Sequence, residues 1–159
     1  LDSWRRSFRN LGLLQWRHPK VSKIIEMLRK HESVETHAYE CTANKITIGV
    51  GRNIDKDGGI GLSNDEIDFL LANDIERVNS ELLRSFDWFN SLDDVRKDAM
   101  IDLCFNIGLP RMKGFKKALA AMDGADYDTA ATEFLDSRWA KQVGSRSITI
   151  TDMVRSGSY

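Results

Sequence analysis

The chain has 159 residues, 42% of them hydrophobic and 30% charged, which suits one globular domain or two small lobes with a real core. Two cysteines are too few for a disulfide framework, and three scattered histidines (His18, His31, His37) offer no metal-ligand spacing. The net charge of −1 calls for no nucleic-acid partner, and no apolar run approaches the roughly 18 residues that a membrane span needs. That net charge hides an asymmetry. Residues 1–31 carry eight Lys/Arg against two acids, residues 32–84 five against eleven, and residues 85–159 ten against eleven.

Residues 1–19 form a basic amphipathic segment. Trp4, Phe8 and Leu11 recur at helical spacing opposite Arg5, Arg6 and Arg9, and Pro19 closes the stretch. Such a segment either packs its aromatics on the main body or touches an anionic membrane or envelope surface; packing is the commoner outcome. It carries no small-residue cleavage site, so no signal peptide is read there. From Pro19 a helix is expected through Val21, Ile24, Ile25 and Leu28, ending near His31–Glu32. The period then changes to two. HAYEC (37–41) and KITIGV (45–50) read as a hairpin turning at Asn44, with Ile46, Ile48 and Val50 on one face and Thr47 on the other, away from the core row. A glycine-rich turn, DKDGGIG (55–61), is expected to lead into a short third strand.

Helices follow. Ser63-x-x-Glu66 is a capping box for a long helix through Ile67, Leu70, Leu71, Ile75, Val78 and Leu82. Ser91-x-x-Asp94 resembles another helix start, for a helix carrying Leu92, Val95, Ala99, Leu103 and Phe105 and stopped by Gly108 and Pro110. Shorter helices are expected at about 113–122, 126–136 and 148–154. Cys104 lies in an apolar stripe and Trp139 reads as core, while Arg111, Lys113, Lys116 and Lys117 read as a solvated basic face. No internal repeat is present. The sum is an α+β fold biased to helix.

One constellation carries chemistry. Glu32 is followed after eight residues by Cys41, and Cys41 after five by Thr47, all at the junction of the first helix and the sheet. A carboxyl group at a helix end can serve as general acid for glycosidic cleavage, which also needs a group that activates water or attacks the sugar. Cys41 is a candidate for that second role and Thr47 for orienting water. Taken singly, a surface acid and a small buried thiol remain the default readings.

The run HESVETHAYECTANKITIGVGRN (31–53) resembles the catalytic signature of the phage-type, T4-lysozyme-like muramidases of glycoside hydrolase family 24. That pattern is Glu, eight residues, Asp or Cys, five residues, Thr, then Ile-Gly-x-Gly. It stands here as Glu32, Cys41, Thr47 and Ile48-Gly49-Val50-Gly51. Four later stretches resemble the family's C-terminal lobe in order: SLDDVRKDAMIDLCFNIG (91–108), KGFKKAL (113–119), AATEFLDSRW (130–139) and MVRSGSY (153–159). The resemblance implies a two-lobed lysozyme-like fold over residues 20–159. A small sheet lobe (about 32–62) is joined by a long helix (about 63–84) to a larger helical lobe (about 85–159), with the substrate cleft between them.

It further implies cleavage of the β-1,4 bond between N-acetylmuramic acid and N-acetylglucosamine in peptidoglycan, with inversion, without cofactor or metal, by a monomer. Glu32 takes the acid's place, Cys41 a place usually held by aspartate, and Thr47 the water-holding place. Phe105 and Asn106 match a saccharide-lining aromatic–amide pair, and Arg146 a basic residue brought near the acid. Arg52 stands where histidine is usual, and a basic partner expected near Thr149 is absent. The expected setting is synthesis in a bacterial host's cytoplasm, release through a holin-type pore, action on periplasmic peptidoglycan, and cell lysis. Two rivals are a lytic transglycosylase, which needs one glutamate and no water activator, and a membrane-active protein working through residues 1–18.

Overall fold

A computed structural model describes residues 19–159, with side chains from Lys23 onward, in two compact units that divide between Ser63 and Asn64. The basic amphipathic segment 1–18, and any envelope contact through it, lies outside the described residues. The architecture is α+β, with eight α-helices and a three-stranded antiparallel sheet among the described residues.

The first unit opens with α1 (Pro19–His31), whose proline occupies the first helical position, where a missing N–H costs nothing. Arg29, Lys30 and His31 fill its last turn, where cations complement the helix dipole. The sheet order is β1 (Glu35–Glu40), β2 (Ile46–Gly49), β3 (Arg52–Asn53). Tyr39 pairs with Thr47 and Glu40 with Ile46, and the register shifts between Tyr39 and Glu35, which opposes Gly49. Asn44 takes a left-handed backbone (φ 54°) in the hairpin turn, a conformation asparagine tolerates. The third strand precedes the glycine-rich loop, where the sequence suggested it would follow. The Gly49–Gly51 turn reverses the chain at once, pairing Arg52 with Ile48 and Asn53 with Thr47.

That loop instead straps the sheet. The Asn53 side chain accepts from the Asp55 N–H (2.9 Å) and Asp55 accepts from the Asp57 (2.9 Å) and Ile46 (3.2 Å) N–H groups. Lys45 reaches back to the Asp57 carbonyl at 3.0 Å and to the Asp55 carboxylate at 3.7 Å. The Asp57 and Ile46 amides hold the Asp55 carboxyl below its ordinary pKa, so the strap is formed by the ionised group. A Cβ on Gly59 would lie 2.5 Å from the Asp55 carbonyl oxygen and 2.7 Å from Asn53 Oδ1, with no flexible atom to give way. Gly59→Ala is therefore expected to lower unfolding free energy by about 1–3 kcal/mol in denaturant titration. A loss under about 0.5 kcal/mol would show that the loop relaxes freely.

The second unit begins with α2 (Asn64–Ser85), one residue after Ser63, where the capping box placed it. A 3₁₀ helix (Asp87–Ser91) leads into α3 (Asp94–Ile107), followed by α4 (Leu109–Met112), α5 (Lys116–Asp123), α6 (Tyr127–Leu135), α7 (Arg138–Val143) and α8 (Ser145–Ser156). The start of α3 corrects the sequence reading. Its cap is Asp93, which accepts from the Arg96 N–H at 2.9 Å, whereas Ser91 closes the 3₁₀ turn by donating to the Trp88 carbonyl at 2.7 Å. Two short helices, α4 and α7, were not expected, and α8 runs further than its expected 148–154 at both ends. Pro110 sits in the first turn of α4, so it opens a helix here as well as following the end of one.

The core of this unit gathers Leu82, Phe89, Met100, Leu103, Cys104, Met112, Met122, Phe134, Ile150 and Val154, all almost fully buried. Each large apolar side chain there contributes roughly 1.5–3 kcal/mol of transfer free energy. Cys104 is core, as its stripe implied, and burial pushes its thiol pKa up. Arg96 ties the unit together. Its guanidinium donates to the Val154 (2.8 Å) and Arg155 (3.0 Å) carbonyls at the end of α8, pairs with Asp93 and lies 3.8 Å over the Tyr127 ring. It thereby satisfies carbonyls that a helix end leaves unpaired.

Candidate active site

Glu32 follows the last residue of α1, its N–H still bonded to the Leu28 carbonyl at 2.8 Å, before Ser33 turns the chain through a left-handed conformation (φ 60°). The side chain is exposed, not sheltered by the apolar residues of the helix. It lies along Gly51 in the turn between β2 and β3. Glu32 Oε2 is 3.0 Å from the point where a Gly51 Cβ would stand, and Glu32 Cδ is 3.5 Å from it.

Cys41 closes β1 and is partly buried. Its N–H donates to the Lys45 carbonyl at 3.0 Å and its carbonyl accepts from the Asn44 N–H at 2.8 Å, so a closed four-residue turn fixes its backbone. The backbone amides of Ala43 and Lys45, followed by the Thr47 hydroxyl, stabilise the thiolate and hold this thiol below its ordinary pKa.

Thr47 is the point at which the sequence reading is corrected. It occupies the buried face of β2, 4% exposed, while Ile46 is 42% exposed. The alternation is as expected, but the covered face is the other one. The Thr47 hydroxyl donates to the Lys45 carbonyl at 3.1 Å. Burial with that partner fixes the hydroxyl in place. The structure thus brings Cys41 and Thr47 together and sets Glu32 against the turn that follows Thr47's strand.

The other sequence-predicted residues belong to the second unit. Phe105, near the end of α3, is 44% exposed, unlike the Leu103 and Cys104 beside it in the core. Asn106 is exposed, with its carbonyl oxygen accepting from Trp139 Nε1 at 2.9 Å, so the indole that reads as core also orients the amide. The Arg146 guanidinium donates twice to Asp102 Oδ1, at 2.8 and 2.6 Å. Sequence reasoning missed two of these participants. Asp102 stands four residues before Asn106 in α3, a spacing that puts both on one face. Gly51 lay inside a motif already quoted, with no role of its own. The basic residues Arg111, Lys113, Lys116 and Lys117 are exposed, with Lys117 3.8 Å from Glu133. Among the described residues no group of three His, Cys, Asp or Glu side chains stands together as a metal-ligand set, and no helix is long and apolar enough to cross a membrane.

The family model for phage lysozyme matches residues 29–154, which takes in Glu32, the sheet and nearly all of the helical unit. The chain belongs to the phage lysozyme family. Among its relatives is a probable T4-type lysozyme 2 of Dictyostelium discoideum, 28% identical, covering 87% of this chain and 96% of the relative. A second protein of that organism, probable T4-type lysozyme 1, is 25% identical over the same shares. An endolysin of Acyrthosiphon pisum secondary endosymbiont phage 1 is 26% identical, covering 79% of this chain and 84% of the endolysin. Membership in the phage lysozyme family makes this chain a glycoside hydrolase of the peptidoglycan-hydrolysing kind.

Proposed function

We propose that the chain is a muramidase that hydrolyses the β-1,4 bond between N-acetylmuramic acid and N-acetylglucosamine. The Glu32 carboxyl gives its proton to the leaving glycosidic oxygen. The Cys41 thiolate takes a proton from a water that attacks the anomeric carbon, and Thr47 helps to hold that water. Attack by water from the opposite face inverts the anomeric centre. Phe105, Asn106 and Arg146 are assigned to saccharide contact, as the family resemblance implies.

The observation that carries this reading is the closed backbone turn that fixes Cys41 at the end of the hairpin strand, with its thiol held below its ordinary pKa. Donors from Ala43, Lys45 and Thr47 stabilise the anionic thiol, the form that a base for water activation needs. A lytic transglycosylase would have no use for such a site, because its own substrate supplies the nucleophile. Digestion of purified peptidoglycan followed by analysis of the new chain ends separates the two. Free reducing ends, released first in the inverted anomeric form, are the expected product. A population of 1,6-anhydro-muramyl ends would replace hydrolysis with transglycosylation.

A further inference from the structure

We propose that Gly51 is a positioning residue for the catalytic acid, its missing side chain being the space that sets where the Glu32 carboxylate stands. The inference rests on the assignment of Glu32 as general acid and adds what holds it there. The observation is a contrast within one turn. Gly49 and Gly51 have the same left-handed backbone, φ 69° and 68°, so both positions favour glycine on conformational grounds alone. Their surroundings differ. A Cβ on Gly49 would meet no atom within 4 Å, whereas one on Gly51 would stand 3.0 Å from Glu32 Oε2, 3.5 Å from Cδ and 3.7 Å from Cβ.

The atom under pressure decides the consequence. Glu32 Oε2 is the far end of a flexible, exposed side chain, so it can step aside at little cost to folding. At 3.0 Å the neighbour must give by a few tenths of an ångström, and a proton donor so displaced is less well aligned with the leaving oxygen. Crowding at Gly51 is therefore nearly silent in stability and costly in turnover, the reverse of what a purely structural glycine would show.

The test uses the full chain with alanine and asparagine at each glycine. Asparagine tolerates the left-handed backbone and carries the same Cβ, which separates crowding from strain and guards against a variant that does not fold. Both positions are expected to lose the same increment of melting temperature for a given residue. Gly49→Ala and Gly49→Asn should keep the parental turnover on purified peptidoglycan. Gly51→Ala and Gly51→Asn should lose about 10²-fold in kcat with KM within about twofold. Shortening the acid should relieve the contact, so adding Gly51→Ala to Glu32→Asp should cost less than about tenfold, against about 10² when it is added to the natural acid. Gly51 variants that match their Gly49 counterparts in kcat would overturn the proposal, as would a full hundredfold loss in the Glu32→Asp background. Either result, obtained alongside an inactive Glu32→Gln, leaves the acid assignment standing; an active Glu32→Gln would overturn both.

Discussion

Replacing Glu32 with glutamine is expected to reduce hydrolysis of purified peptidoglycan by about 10³-fold while leaving the melting temperature unchanged. The substitution keeps the shape that lies against Gly51 and removes only the transferable proton. Positioned general acids contribute about 10²–10⁴-fold, and an amide offers nothing in their place. Stability should not follow, because the Glu32 side chain is exposed and what fixes this end of α1 is its backbone bond to Leu28. Purified wall is the right substrate, since it reports bond cleavage apart from any effect of residues 1–18 on membranes. Parental rates of wall digestion by Glu32→Gln would remove this residue from the chemistry and reopen a membrane-active role. A loss of melting temperature together with activity would make Glu32 a structural residue instead.

Much of the architecture was legible because single residues announce it. Pro19 and the Ile24, Ile25, Leu28 stripe mark α1, Asn44 marks the hairpin turn, and Ser63 marks the start of α2. The failures have equally local causes. Ser91 and Asp93 both precede an apolar run with a suitable acid or amide nearby, and only the 3₁₀ turn that takes in Ser91 decides that Asp93 is the cap. At Thr47, alternation tells which residues share a face of a strand, not which face the rest of the chain covers. Isoleucine outranks threonine on burial statistics, yet here the threonine is inside because its hydroxyl has a partner in the Lys45 carbonyl. The Arg146–Asp102 pair joins residues 44 positions apart, and no periodicity reports a contact of that kind. Glu32, Cys41 and Thr47 were singled out by spacing; the closeness of Gly51 to Glu32 needed coordinates, since a glycine's absent side chain leaves no trace in a pattern of side chains.

The cysteine is where sequence and geometry together give the sharpest expectation. Cys41→Ala should lose about 10²–10³-fold in kcat on purified wall, and Cys41→Ser should resemble it, because a serine hydroxyl does not ionise near neutral pH. Cys41→Asp should stay active. A carboxylate at this position meets the same Ala43 and Lys45 amides and the same Thr47 hydroxyl, all of which favour an anion. The pH profile distinguishes the two active forms, and its sign follows from the shift at the thiol. A base works only when deprotonated, so the share of Cys41 able to act as base grows as pH rises through its pKa, which those donors place below the ordinary 9.0. An aspartate is already ionised above about pH 4. Cys41→Asp is therefore expected to outperform the natural sequence at mildly acidic pH, where the aspartate is ionised and the thiol less so. At alkaline pH the two should converge. Near-parental turnover by Cys41→Ala would take the thiol out of the mechanism. Superimposable limbs for Cys41 and Cys41→Asp would show that some other group sets the alkaline requirement, and the water would need a different base.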